Sequence, residues 1–506
     1  MKQFLYTHKG YVVYGLISIL ALVWNIVTMG HSIPWCDEVM LADTPANMHI
    51  YGEWATTAFN AMGEGSKPFS VYLPLYTWLL YVWISIFGFS FLKVRLCEMI
   101  TTVVLGGFLL RLGGQLAGKK LSLLSIALFS LGFWFTDLMV MIYRMARPDI
   151  LGALMTVIFA IYVVKNLKEQ KKYTWQLMLF SGLSIVAGIQ SALYVVLGLI
   201  FTALFVRPVK RMLHPALCCL AGFVLGFIIV IAYMACFGEA KAFIVSIMNS
   251  SGAVMKLWEI TRGIIFPLLG KEVTPLGYPD ASPVPFYVKL LDIFAYTGAV
   301  ILFMVNVLLL VLHKAWHHVK AYKMPILVFF FSVFTILGYN LAGRYQGYYM
   351  WTAILPMLLS LLIWMNVGKH LFAMPLVGLS AIVMLGMALN SIPLTGDSPT
   401  DRIAAFVNQQ HFKNTDRIAA PFSTFYALKP TNQNTYFYQI YPQNLIGEVD
   451  YVIIPEAGDD YNQEGMEKFL KELQHNPKYQ VEKISRLQES NLALYKVCSK
   501  TNQYVI

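Results

Sequence analysis

Long apolar runs separated by short polar breaks set the pattern of this chain. They cover approximately 11–29, 96–117, 121–141, 150–164, 175–190, 191–206, 213–236, 287–312, 325–341, 346–364 and 371–390. Most approach the roughly 17–25 residues that a helix needs to cross a hydrocarbon core. Each predicts a helix, because lipid offers no partner for backbone N–H and C=O groups. Segment 71–90 is also apolar and long enough, but it is rich in Trp and Tyr and carries Pro74 near its start.

The basic residues decide how that segment is read. If 71–90 lies at the outer interface, the clusters Arg111/Lys119/Lys120, Lys165/Lys168/Lys171/Lys172, Arg207/Lys210/Arg211 and Lys314/Lys320/Lys323, with Lys369, all share the N-terminal side. The excess of Lys and Arg in cytoplasmic loops then makes that side cytoplasmic. If 71–90 crosses, every cluster falls outside. Aromatic content also suits an interfacial helix. The expectation is therefore eleven spans, a cytoplasmic N-terminus and an extracytoplasmic C-terminus.

Polar sequence collects on the expected outer face, in loops 30–92 and 237–286 and in the tail 393–506. Residues 237–286, with five prolines from Pro267 to Pro285, predict an ordered loop over the membrane surface. In the tail, 450–455 and 492–497 predict strands and 464–473 an amphipathic helix. The fold class expected is an all-α polytopic membrane protein, residues 1–392, followed by a small soluble α/β domain, 393–506, acting as a lid or docking unit.

Composition agrees: of 506 residues 58% are hydrophobic and 13% charged, with a mean hydropathy of +0.60. A soluble globular chain is nearer half apolar and a quarter charged. The first run follows Lys2 and Lys9, but it is too long for a signal peptide and no small-x-small site follows, so it reads as a retained helix. The net charge of +11 sits where orientation requires it and does not argue for nucleic acid. Six cysteines (36, 97, 218, 219, 236 and 498) show neither metal-ligand spacing nor a disulfide framework.

Candidate chemistry crowds the outer ends of the helices. Asp37 and Glu38 stand in Pro34-Trp-Cys-Asp-Glu just beyond the first span; solvated loop acids are the plain reading, and a catalytic base the functional one. Arg144, Arg147 and Asp149 fall in Tyr143-Arg-Met-Ala-Arg-Pro-Asp149, a predicted outer turn. Arg suits bidentate phosphate recognition, and Asp149 is either a further acid or a helix cap. Arg344 and Tyr345 occupy a third outer turn, as phosphate ligands or as an interfacial anchor. Lys67 precedes the aromatic segment, and Arg95 and Glu98 open the next span, where they are spaced to pair with each other. Acids among several cations suit a reaction whose leaving group is a phosphate.

The order of these pieces resembles the GT-C superfamily of polyprenyl-phosphate-sugar-dependent glycosyltransferases, in particular bacterial relatives of the protein O-mannosyltransferases and of the lipid A aminoarabinose transferase. The matching pieces are Trp35-Cys-Asp37-Glu38 after the first helix, Lys67-Pro68 before Pro74-Leu-Tyr-Thr-Trp78, Arg95 at the second span, Ala146-Arg-Pro-Asp149, and Arg344-Tyr345 ahead of Pro356. The chain departs from the pattern at Phe69, where the family has a second Pro, and at Gln190-Ser191, where it often has Thr-Lys.

The resemblance implies a membrane enzyme that moves a sugar from a polyprenyl-phosphate donor to a lipid, glycan or protein acceptor on the extracytoplasmic face, by single displacement with inversion. It makes Asp37 the base, supported by Glu38 and Asp149, with Lys67, Arg95, Arg144, Arg147, Arg344 and Tyr345 around the donor phosphate. It implies no obligatory cofactor and no protein metal site, a divalent cation staying an open option. A lipid-linked oligosaccharide ligase or polymerase is the second enzyme reading. A lipid or sugar transporter is the non-enzymatic one, and it would place polar residues nearer mid-membrane.

Overall fold

The computed structural model describes residues 9–58, 73–169, 172–244, 296–341, 349–368, 370–392, 398–437, 447–455, 463–487 and 492–500. An apolar helix stands at each expected span: α1 Lys9–Thr28, α4 Phe91–Ala117, α5 Leu123–Phe135, α7 Asp149–Glu169, α8 Thr174–Ala187, α9 Ile189–Phe205, α10 Leu213–Cys236, α11 Thr297–Leu312, α12 Lys323–Leu341, α13 Trp351–Val367 and α14 His370–Ser391. Outside them lie α2 Cys36–Tyr51, α3 Pro74–Phe87 and the short α6 Asp137–Tyr143. The chain is an integral membrane protein. Among the described residues, five helices are long and apolar enough to cross a membrane by themselves.

The expected span 121–141 is not one helix: α5 and α6 meet at a 64° bend. The cause is local. Asp137 opens α6, its Oδ1 accepting from the N–H of Leu138 and its Oδ2 from that of Gly298 at the start of α11. A Cβ on Gly298 would stand 2.6 Å from Asp137 Oδ1, so only glycine permits this approach. A proline inside α13 is handled in a comparable way. Pro356 cannot donate to the carbonyl of Thr352, and Thr335 Oγ1 donates to that oxygen instead, at 3.2 Å.

The described part of the tail holds α15 Pro399–Gln409, α16 Phe425–Leu428, α17 Gln463–His475 and a five-stranded sheet ordered β2-β1-β3-β5-β4. The strands are β1 Ile418–Ala420, β2 Thr435–Phe437, β3 Tyr451–Pro455, β4 Tyr479–Leu487 and β5 Leu492–Ser499. β1 runs parallel to β2 and β3, whereas β5 is antiparallel to β3 and β4. The two expected strands and the amphipathic helix are present. The tail is not a detached lid. Phe406, Phe425, Phe437 and Leu494 share one apolar core with Leu41 of α2, Leu80 and Ile84 of α3 and Cys97 of α4. Most of the expected loop 237–286 lies outside the described residues.

Candidate active site

Trp35 is extended and the next residue starts α2, so Asp37 and Glu38 both fall in the first helical turn. There the free backbone N–H groups favour negative charge. Successive helix positions point in different directions, and the two acids separate accordingly. Glu38 is fully buried. It accepts from Arg95 Nε at 2.9 Å and Nη2 at 2.7 Å, and from the Tyr426 hydroxyl at 2.8 Å. Asp37 keeps 19% of its side chain exposed and pairs with Arg147 Nη1. Glu38 is a tie between α2, α4 and the tail; Asp37 is the carboxylate that faces outward.

Arg147 sits between two acids. Its Nε donates to Asp149 Oδ2 at 2.8 Å, and its guanidinium lies 5.1 Å from the centre of the Trp35 ring. Asp149 is the first residue of α7, yet its carboxylate does not cap that helix. It accepts from Arg147 and, at 3.3 Å, from the indole N–H of Trp351. Glu98 takes the capping role, its Oε1 accepting from the N–H of Ile150 at 3.3 Å. The other oxygen, Oε2, is buried without a hydrogen-bond partner.

The spacing of Arg95 and Glu98 predicts a pair, and the structure corrects this. Arg95 turns outward to Glu38 and to the carbonyls of Ser32 and Ile33 at 3.2 and 3.3 Å, while Glu98 turns toward the start of α7. Arg144 leaves the outer turn altogether. It reaches back into α1, donating to Asn25 Oδ1 at 3.0 Å, Thr28 Oγ1 at 2.8 Å and the Thr28 carbonyl at 2.7 Å. Lys67, Arg344 and Tyr345 lie outside the described residues. Tyr349, the first described residue after Arg344 and Tyr345, accepts through its hydroxyl from Gln190 Nε2 at 2.9 Å.

Cys36 precedes the outward acid and donates weakly to Asp37 Oδ1 at 3.5 Å. Burial, with the Asp37 charge beside it, pushes the Cys36 thiol up to about 12. Tyr426 stands well above the ordinary phenol range, first through burial and then through Glu38, so it remains a neutral donor.

Beside the cluster is a cavity of about 440 Å³ lined by Trp35, Arg95, Asp137, Arg144 and several methionines, including Met141 and Met384. No group of three or more His, Cys, Asp or Glu side chains among the described residues is disposed to hold a metal ion.

Sequence reasoning passed over a second buried pair. Lys429 Nζ lies 2.6 Å from Asp43 Oδ1, and neither side chain is exposed. Asp43 Oδ2 accepts from Thr56 Oγ1 and from the N–H groups of Thr57 and Ala58 at 2.7, 2.7 and 2.9 Å. This ties the chain beyond α2 to the tail. Burial lowers the Lys429 ammonium from its usual range, opposed by the Asp43 charge. The two residues are 386 positions apart, so no local signal announces them.

The arrangement is a bundle of apolar helices, one end of which carries an Asp–Arg–Asp cluster beside the folded tail. Residues 66–235 match the family described as dolichyl-phosphate-mannose-protein mannosyltransferase. The match includes Arg95, Arg147 and Asp149 and begins after Asp37. Over the whole chain the fold is similar to that of ArnT from Cupriavidus metallidurans bound to undecaprenyl phosphate: TM-score 0.59 at 12% identity, covering 97% of this chain and 98% of that one. The apo state of the same protein matches at 14% identity and a TM-score of 0.48 over 97% and 98% of the two chains. No curated protein matches in sequence. Residues 66–235 thus resemble the protein mannosyltransferases, and the fold over the whole chain is like that of ArnT.

Proposed function

We propose that this protein transfers a sugar from a polyprenyl-phosphate donor to an acceptor hydroxyl or amine at the extracytoplasmic face. The observation that carries the reading is the division of labour among the acids. Glu38 and Asp149 are buried and engaged, while Asp37 alone of the three is partly open and is held in place by Arg147. The ArnT structure, with undecaprenyl phosphate bound, supports the donor class.

In this reading Asp37 accepts the acceptor proton as the acceptor atom bonds to the sugar's anomeric carbon. The bond from that carbon to the phosphate oxygen breaks, its electron pair leaving with polyprenyl phosphate, and configuration inverts. Arg147 orients Asp37 and, with Lys67 and Arg344, stabilises charge on the departing phosphate; such pre-placed charge contributes strongly to catalysis. Arg95, held on Glu38, and Arg144, held on α1 through its two Nη groups, act as positioning residues. The methionine-lined cavity takes the apolar chain next to the phosphate. Eleven crossings with the basic loops cytoplasmic put the cluster and the tail outside.

Extraction of lipid-linked sugars from cells with and without the gene tests the reading. Accumulation of one polyprenyl-phosphate sugar in its absence, with loss of the same sugar from an envelope glycan or protein, is expected. Unchanged pools and glycans would overturn it.

A further inference from the structure

A second cavity, also of about 440 Å³, lies at the far end of the bundle from Asp37. It runs between α4, α7, α9, α12 and α13, lined by Leu112, Val163, Phe201, Phe331 and Leu355. From Thr156 to Lys168 it follows thirteen residues of α7, or about 18 Å of helix axis at ~1.5 Å per step. Its chemistry changes abruptly at one end. There Lys168, Arg207, Arg211 and Lys323 contribute to the lining, which contains no Asp or Glu.

These cations come from three separate stretches, the end of α7, the α9–α10 connection and the start of α12, so their meeting is a property of the fold. None forms an ion pair among the described residues. Lys168 donates to the Gln115 carbonyl, and Arg207 makes only long contacts, 3.3 and 3.4 Å, with carbonyls of its own helix end. Four like charges around one mouth repel one another unless an anion joins them. A soluble anion would leave the long apolar part of the groove unfilled. A basic pocket between membrane helices, continuous with an apolar groove, has the chemistry for an anionic lipid headgroup.

We propose that this groove binds an anionic phospholipid, acyl chain along α7 and α9 and phosphate among Lys168, Arg207, Arg211 and Lys323, as a site separate from the sugar-transfer cluster. Gly198 helps define the chain's path. A Cβ there would make only an ordinary 3.6 Å contact with Phe331, so a larger side chain projects into the groove.

The test uses the full chain purified from nanodiscs holding equal phosphatidylglycerol and phosphatidylcholine with the same acyl chains, counting retained lipid by native mass spectrometry. The wild type is expected to keep phosphatidylglycerol at least ~10-fold over phosphatidylcholine. At roughly 5-fold per cation, Arg207→Gln with Arg211→Gln should cut that preference ~10- to 30-fold at an unchanged unfolding midpoint. Gly198→Leu should reduce retention of both lipids. Equal retention by the wild type, a preference that survives neutralisation, or full retention by folded Gly198→Leu would overturn the proposal.

Discussion

Arg95 grips Glu38 through two hydrogen bonds, 2.9 and 2.7 Å long, with 1% and none of the respective side chains exposed. That pair fixes α2 against α4 and leaves Asp37, one position earlier, partly exposed. Tyr426 adds the tail to the same carboxylate, so the tail takes part in holding the start of α2.

Glu38→Gln should therefore act on folding. It leaves the Arg95 charge buried without its partner, and breaking a buried pair costs about 3–5 kcal/mol. A lowered unfolding midpoint in detergent, with faster proteolysis between the bundle and the tail, is the expected outcome.

Arg147→Lys keeps the charge but loses the fork that spans Asp37 and Asp149. A lysine ammonium cannot reproduce that planar geometry. Turnover should fall by ~10- to 100-fold, the range of one misplaced catalytic group, while the unfolding midpoint moves little because the site keeps its net charge. Initial rates at saturating donor check this.

Much of the architecture is legible in the sequence because lipid enforces it: an apolar run must become a helix, so the apolar segments map onto helices. What is not legible comes from single side chains acting across distance. The break at Thr136 lies within a continuous apolar run and depends on Asp137 meeting Gly298, 161 residues later. Asp37, Arg147 and Asp149 are recognisable as chemistry in the sequence, and the structure brings those three together. Arg144 looks identical in sequence to Arg147 and is instead an anchor for α1. Arg95 and Glu98 have ideal pairing spacing, but each meets a better partner on another element. The three-residue strands β1 and β2 are too short to carry a periodic signal.

The Cys36 thiol, pushed up to about 12 by burial and by Asp37, should resist alkylation. With its pKa raised, the thiol stays protonated through neutral and moderately alkaline pH. In a chain whose other five cysteines are replaced by serine, the maleimide rate should climb steadily from pH 7 to pH 10. A rate that levels off near pH 9 would indicate an ordinary, unburied thiol.

Lys429→Ala should loosen the tail from the outer helices. It strands Asp43 in a site with no exposure, at a cost of about 3–5 kcal/mol. Lys429→Met combined with Asp43→Asn should recover part of that loss, because the amide oxygen can still accept from Thr56, Thr57 and Ala58 while no charge is left buried. Limited proteolysis distinguishes a released tail from an unfolded chain.

Sugar transfer by Asp37 is tested most directly in vesicles holding purified protein, the polyprenyl-phosphate sugar that accumulates without the gene, and its acceptor. Asp37→Asn should lower the single-turnover rate by about 10²- to 10⁴-fold, the contribution of a general base, with donor binding and the unfolding midpoint close to wild type. Wild-type turnover by Asp37→Asn would contradict the account.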